Sequence, residues 1–411
     1  VDEPFLKSMI TLKNNLLDLL LPKPVYKKEK VNNEIIKIYK MVEDELFTPK
    51  NEEEKIIIDF YNEISNNTFL VKKILENYCF VYSATTQQSE GSEIRKAKGK
   101  IWEYPIYDVV IIDEAARVNP LDLMIPLSQA AKKVILVGDH RQLPHVYNED
   151  IFDELQNDEE IDESLREKGI SQSMFEYLKE KADELEKKDK IKRTITLDKQ
   201  YRMHRLLGNF INENFYEIYE EGFSSPLDDE IFKQDFYNTP LVWINVNNTV
   251  DMEIKKGTSR KRDSEANIIV NKLKEMILSE KGKKLSYGVI SFYKAQVDEI
   301  TERLKREGLA DKVKVGSVDA FQGMEFDIMF LSVVRTNTKE SLKSTFPYGF
   351  LASENRLCVA LSRQKRLLIV VGDSDIFYSK EWKELAKKNV PAMVNLYELC
   401  LKKGEVIDGS K

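Results

Sequence analysis

The chain has 411 residues, 42% of them hydrophobic, and 63 Lys and Arg against 70 Asp and Glu, a net charge of −7. That is a globular composition too long for one core, so two or three domains are expected, and no apolar run nears the ~18 residues of a membrane-spanning helix, so no membrane partner is expected. Three scattered cysteines (Cys79, Cys358, Cys400) and three histidines (His140, His145, His204) out of zinc spacing argue against a disulfide framework or structural metal, and for a reducing, cytoplasmic setting.

Residues 1–78 read as helical. Leu16, Leu17, Leu20 and Leu21 share one helical face, and Ile56, Ile57, Phe60, Tyr61 and Ile64 another. Pro22, Pro24 and the step Thr48-Pro49 break these helices. From Tyr78 the pattern changes to short apolar runs, Tyr78–Tyr82, Val109–Ile112 and Val134–Val137, each ending in small or polar residues. These predict buried parallel strands with ligand-binding residues just past their C-terminal ends. Glu149 to Lys192 is a polar connection with one amphipathic piece around Met174, Phe175 and Leu178. Its first part, Glu149 to Glu163, holds nine acids and no Lys or Arg, so the rest of the chain is near neutral. The negative total therefore does not decide against a local basic groove.

A second set of strands is expected at Thr194–Leu197, Leu241–Val246, Tyr287–Ser291, Val313–Val315, Asp327–Val334 and Leu367–Val371, with helices such as Glu265–Leu278 and Lys294–Arg306 between them. The alternation predicts a second doubly wound α/β domain.

Several strand ends carry reactive groups. Val109 to Ile112 runs into Asp113-Glu114-Ala115-Ala116. Two carboxylates there suit either an acidic helix start or a Mg²⁺ ligand followed by a general base. The next strand ends in Gly138-Asp139-His140-Arg141-Gln142, where Gln142 is either a turn residue or a group that orients water at a terminal phosphate. Arg202, in Gln200-Tyr201-Arg202-Met203, is either a solvated helix-start residue or a planar fork for phosphate. The segment from Ser291 to Gln296 is either a junction with buried aromatics or part of a nucleic-acid face.

In this order the stretches resemble motifs II, III and IV of superfamily 1 helicases. The similarity is strongest to the branch of the nonsense-mediated-decay helicase and senataxin. Gly316 to Asp327 resembles motif V, Asn355 to Arg363 resembles motif VI, and Tyr82 to Thr86 resembles the nucleic-acid-contacting motif before motif II. The similarity covers residues 79–373. It implies two RecA-like (P-loop NTPase) domains with ATP between them. The implied layout is a helical segment at 1–78, a partial first domain at 79–193 with motifs II and III, and a second at 194–411 with motifs IV, V and VI. Asp113 would hold Mg²⁺, Glu114 would activate water, and Gln142 would sense the γ-phosphate. Arg202 and Arg363 would be arginine fingers. Tyr201, Gly323 and Glu325 would contact the nucleotide. Thr85, Thr86 and Ser317 would hold single-stranded DNA or RNA through its phosphates, without reading sequence. The implied protein is a monomer that moves 5′ to 3′ on a single strand.

One part of the pattern is missing. G-x-x-x-x-G-K-[ST], the loop that cradles phosphates, does not occur, and Gly99-Lys100 continues into Ile101 with the preceding Gly eight residues back. The chain also starts at Val1, not Met. Either the sequence begins downstream of this loop or the protein is a degenerate relative lacking it; we expect the former, a fragment inactive alone. The alternatives are a non-catalytic nucleic-acid-binding module and a motor subunit of a nuclease or restriction system.

Overall fold

In the computed structural model, residues 33–46, 48–66, 79–97, 106–143, 172–336 and 347–409 are described. The expected helix around Leu16 to Leu21, its breakers Pro22 and Pro24, Tyr78, Gly99 to Ile101, His145 and the acidic run from Glu149 to Glu163 lie outside them. The chain divides into two units, Val1–Ser83 and Ala84–Lys411.

In the first unit, helix α1 is Asn33–Leu46 and helix α2 is Glu52–Asn66, with Thr48-Pro49 between them as expected. The start of α2 is fixed locally: the Asn51 Oδ1 accepts from the Glu54 N–H at 2.8 Å, while the Glu54 carboxylate accepts from the Lys50 N–H at 2.8 Å.

The second unit holds α3 (Ser92–Ala97), β1 (Tyr107–Ile112), α4 (Pro120–Leu127), β2 (Ala130–Leu136), α5 (Met174–Asp189) and α6 (Arg205–Phe215). After these come β3 (Leu241–Asn245), β4 (Ile254–Lys256), β5 (Ser259–Lys261), α7 (Asp263–Leu278), β6 (Tyr287–Ser291), α8 (Lys294–Arg306), β7 (Val313–Gly316) and β8 (Phe326–Ser332). The last elements are α9 (Glu354–Ala360), β9 (Gln364–Gly372), α10 (Asp375–Tyr378), α11 (Lys383–Asn389), α12 (Pro391–Lys403) and β10 (Glu405–Asp408). Strands β1 and β2 pair in parallel. A six-stranded sheet in the order β10-β3-β9-β8-β6-β7 is parallel throughout.

Period-two side-chain alternation explains why the larger sheet is covered on both faces. Leu241 and Trp243 of β3 pack with α6, α9 and α12, while Val242 and Ile244 pack with α7 and α8. This is the expected doubly wound α/β architecture. The smaller sheet departs from expectation. Val110 and Ile112 of β1 are buried, but Val109 and Ile111 are exposed, as are Val134 and Ile135 of β2. An apolar run need not be buried on both faces when only one face is packed. Nor do residues 79–82 and Thr194–Leu197 form strands. Ile195 and Leu197 are exposed, and the run has β propensity but no ladder partner among the described residues. Phe292 and Tyr293 are buried, which favours the packing reading of that junction.

The end of β8 and the residues just after it are held by a buried cluster around Glu265. Arg262 and Glu265 are both fully buried, 3.4 Å apart, and Arg262 also pairs with Asp251 at 2.8 Å. The Glu265 carboxylate accepts from the Ser332 hydroxyl at 2.6 Å and from the Val334 N–H at 3.0 Å. Val334 has φ 69, a costly conformation for a β-branched residue. Burial nevertheless dominates, and the Glu265 carboxyl is pushed up to about 7, more than its partners pull it down. In the unfolded chain it ionises near 4.5, so as pH rises the unfolded state loses this proton first and stability falls. At 1.36 kcal/mol per pH unit, Glu265 should cost about 3 kcal/mol between pH 5 and 8. Urea melts at pH 5, 6.5 and 8 should show this decline in the native chain and not in Glu265→Gln. Parallel pH dependence in the two proteins would refute it.

Candidate nucleotide site

The site begins where the β1–β2 ladder runs past its strands. Val137 N–H donates to the Ile112 carbonyl and Ala115 N–H to the Val137 carbonyl, each at 2.8 Å. This brings Asp113 and Glu114 beside Gly138. A Cβ on Gly138 would lie 2.9 Å from the Ala116 nitrogen, so the close approach requires glycine. Glu114 is left-handed, with φ 52 and ψ 36, a strain of order 1 kcal/mol at a residue with a sequence-assigned role. Its amide donates to the Asp113 Oδ1 at 3.0 Å. Both carboxylates open on a cleft of about 370 Å³ lined also by Thr86, Arg117, Val118, Asn119 and Asp122.

Gln142 sits in a loop tied to the larger sheet's helices. Its Nε2 donates to the Asp139 Oδ2 at 2.7 Å, and the same oxygen accepts from the Tyr216 hydroxyl at 2.5 Å. Burial pushes the Tyr216 hydroxyl up, which keeps it a donor. Asn355 Nδ2 donates to the carbonyls of His140 and Gln142 at 3.1 and 2.7 Å. Gln142 Oε1 is thereby left facing Arg363, whose Nη2 donates to it at 3.1 Å.

Arg363 is 1% exposed, yet every hydrogen-bond partner is neutral: Gln142 Oε1, the Ser362 hydroxyl at 2.7 Å and the Val359 carbonyl at 3.1 Å. Burial first, and then nearby Arg202, push its guanidinium down to about 10. Arg202 itself donates to the Ser362 carbonyl and to Glu325 Oε2, both at 3.3 Å. Two like charges drawn together, one without a counter-ion among the described residues, suit an anionic ligand.

Glu325 also pairs with Lys365 at 2.5 Å, and that contact above all holds its carboxyl below the usual range. A second cleft of about 230 Å³ is lined by Tyr201, Arg202, Leu227, Ile231, Phe232, Glu325, Lys365 and Arg366. Gly323, at φ 75, makes the left-handed turn between Gln322 and Glu325, with open space around its α-carbon. The turn directs Gln322 Nε2 to the Glu114 Oε2 at 3.2 Å. The structure thus ties Gln142, Arg363, Arg202 and Glu325 together through Ser362, with Glu114 held by Gln322, three residues before Glu325, and Asp113 and Thr86 in the adjoining cleft. Thr85 accepts from the Gln88 N–H at 3.3 Å, and Ser317 follows β7 at the larger sheet's C-terminal edge. Sequence reasoning missed Gln322, Asp139, Tyr216 and Asn355 as site residues. Three of these four stood inside the motif stretches, so membership of those stretches was a usable signal; Tyr216 offered none.

Two family models, each described as an AAA domain, match residues 170–375 and 21–150, the first alone covering half the chain. The chain belongs to the superfamily 1 helicases, in the branch of the nonsense-mediated-decay helicase. Among its relatives, this helicase chain is 33% identical to a regulator of nonsense transcripts 1 homolog of Neurospora crassa, over 67% of the chain and 23% of the relative. It is 31% identical to regulator of nonsense transcripts 1 of Dictyostelium discoideum, over 72% of the chain and 21% of the relative. It is 28% identical to an ATP-dependent helicase of Methanocaldococcus jannaschii, over 90% of the chain and 51% of that protein. The chain thus spans between about a fifth and a half of the length of these relatives.

Proposed function

We propose that the chain carries the hydrolytic and coupling half of an ATP-driven helicase or translocase that moves 5′ to 3′ on single-stranded DNA or RNA, as an intracellular monomer. The observation that carries this reading is Arg363: a buried guanidinium whose hydrogen-bond partners among the described residues are all neutral, one of them the Gln142 amide, beside a second arginine. Such an arrangement is costly unless an anion completes it.

The donor set in the first cleft suits Mg²⁺, which takes carboxylate and water oxygens, and Asp113 would hold it. Bound there, the ion would neutralise charge on the phosphates. Glu114 accepts a proton from the attacking water, and Gln322 steadies its carboxylate. Gln142 orients that water, while Arg363 and Arg202 stabilise charge on the transferring phosphoryl group. Tyr201 and Glu325 line the cleft that suits the nucleoside, with Gly323 shaping its wall. Gln142 and Asn355 link the β1–β2 side to the larger sheet, so closing on nucleotide is felt by both. Thr85, Thr86 and Ser317 offer hydroxyls to the phosphates of the strand.

A non-catalytic binding module would not need Glu114 and Arg363 together, whereas a motor subunit of a nuclease or restriction system would use them in the same way. We expect ATP turnover in a form that also carries a phosphate-binding loop, stimulated by oligo(dT) or oligo(U), and negligible turnover by the 411-residue chain alone. Stimulation by neither polymer would overturn the helicase reading. Brisk Mg²⁺-dependent turnover by this chain would overturn the need for the loop.

A further inference from the structure

The hairpin β4–β5 has no role in the chemistry above, yet it concentrates exposed positive charge in a chain of net charge −7. Its pairing is Ile254 with Lys261, Lys255 with Arg260 and Lys256 with Ser259, closed by the two-residue turn Gly257-Thr258. Gly257 has φ +61, as tight hairpin turns demand, with nothing within 4 Å of a Cβ placed there.

Its base is clamped to the start of α8. The Arg262 amide donates to Gln296 Oε1 at 2.8 Å, and Gln296 Nε2 donates back to the Arg262 carbonyl at 3.1 Å. Ala295 N–H donates to the Ser259 hydroxyl at 3.0 Å, and Lys261 pairs with Glu299 at 2.7 Å. The clamp sorts the charges. Asp251 is taken up by Arg262, and Glu253 by Arg260 at 2.7 Å and Arg335 at 3.4 Å, with its side chain 8% exposed. Lys255 and Lys256, neighbours on β4 and so on opposite faces of the ribbon, are both exposed, with no ion pair among the described residues, near the exposed Thr258. The acids that lead into the hairpin are thus neutralised, Glu253 nearly buried and Asp251 half-buried, while the tip lysines make no ion pair among the described residues.

Location supplies the partner. The hairpin follows the end of β3, and α8 starts just past the end of β6. All strands of the sheet are parallel, so these ends share one edge with Ser317, which follows β7. We propose that Lys255 and Lys256 form an additional phosphate-binding site for single-stranded nucleic acid. The hairpin would extend the strand's track along this edge beyond Ser317. The proposal rests on the reading that a single strand lies there. Two exposed ammonium groups on a rigid two-stranded ribbon would bind phosphates as point charges, without sequence preference.

The test is fluorescence anisotropy of the 411-residue chain with labelled oligo(dT) and oligo(U), without nucleotide, across salt concentrations. Removing two phosphate contacts should flatten the slope of log K against log salt by about 1.4, from ~0.7 per contact on single strands. Lys255→Gln/Lys256→Gln should therefore bind about 25-fold more weakly at 0.1 M salt if the affinities converge near 1 M, equally for both polymers. The pair Lys281→Gln/Lys283→Gln, between α7 and β6 at the opposite edge, should change neither affinity nor slope. Native chain that binds, with affinity and slope unchanged in the hairpin variant, would overturn the proposal and leave the tip for an acidic protein partner. Equal losses in both double variants would also overturn it, as a non-specific charge effect. Native chain that binds neither polymer would sink the single-strand reading itself.

Discussion

Arg363→Met is expected to lower kcat by about 10³–10⁵ in a form that carries a phosphate-binding loop, the range an arginine finger contributes. Fold stability should change by only about 1 kcal/mol. Two opposing effects set this second expectation. The guanidinium is pushed from 12.5 to about 10, so its charge is disfavoured in the fold by about 3 kcal/mol, which Met would relieve. Against that, Met gives up hydrogen bonds to Gln142, Ser362 and Val359, at about 0.5–1.5 kcal/mol each. The two nearly cancel. A steady-state ATPase assay beside a thermal melt of the same preparation checks both. Turnover within tenfold of native would remove Arg363 from the reaction, and a fall of several kcal/mol would make its role structural.

That near-cancellation shows why the arginine's function was legible in sequence but its energetics were not. Asp113, Glu114, Gln142 and Arg202 could be named because each stands near the end of a strand or start of a helix, and Arg363, between α9 and β9, because its stretch resembles motif VI. What joins them is tertiary. Tyr216 reaches Asp139 across 77 positions, and Asn355 reaches Gln142 across 213. No periodicity predicts such pairings. The fold divides similarly. β6 at Tyr287–Ser291 and α8 at Lys294–Arg306 form where expected, because a wholly buried run and an amphipathic face carry their own signal. β10 was missed: Glu405 to Asp408 is short and largely exposed, and it becomes a strand where it pairs with the edge of β3. Thr194–Leu197 is the converse, with apolar alternation but no strand partner among the described residues. The β4–β5 hairpin was missed as well, because its three-residue strands carry charge on both faces.

Glu114 supplies the remaining expectation, and its partner makes it sharper. Glu114→Gln removes the proton acceptor while preserving shape, so kcat should fall by about 10²–10⁴. KM for ATP should hardly move, since Asp113 remains to serve Mg²⁺. Gln322→Leu should lower kcat less, by about 10- to 100-fold. A hydrogen bond to a charged group contributes about 1.5–3 kcal/mol, and only the part that steadies the carboxylate during proton transfer is lost. The decisive comparison is the double variant. If Gln322 acts through Glu114, it has nothing left to orient once residue 114 is Gln, and Glu114→Gln/Gln322→Leu should be no slower than Glu114→Gln alone. Multiplicative losses would mean that Gln322 meets the nucleotide by a separate route, and that the 3.2 Å contact with Glu114 is incidental to turnover. The left-handed Gly323 enters the same cycle. A side chain there would strain the turn that directs Gln322, so Gly323→Ala should reproduce the Gln322→Leu loss and likewise vanish in the Glu114→Gln background.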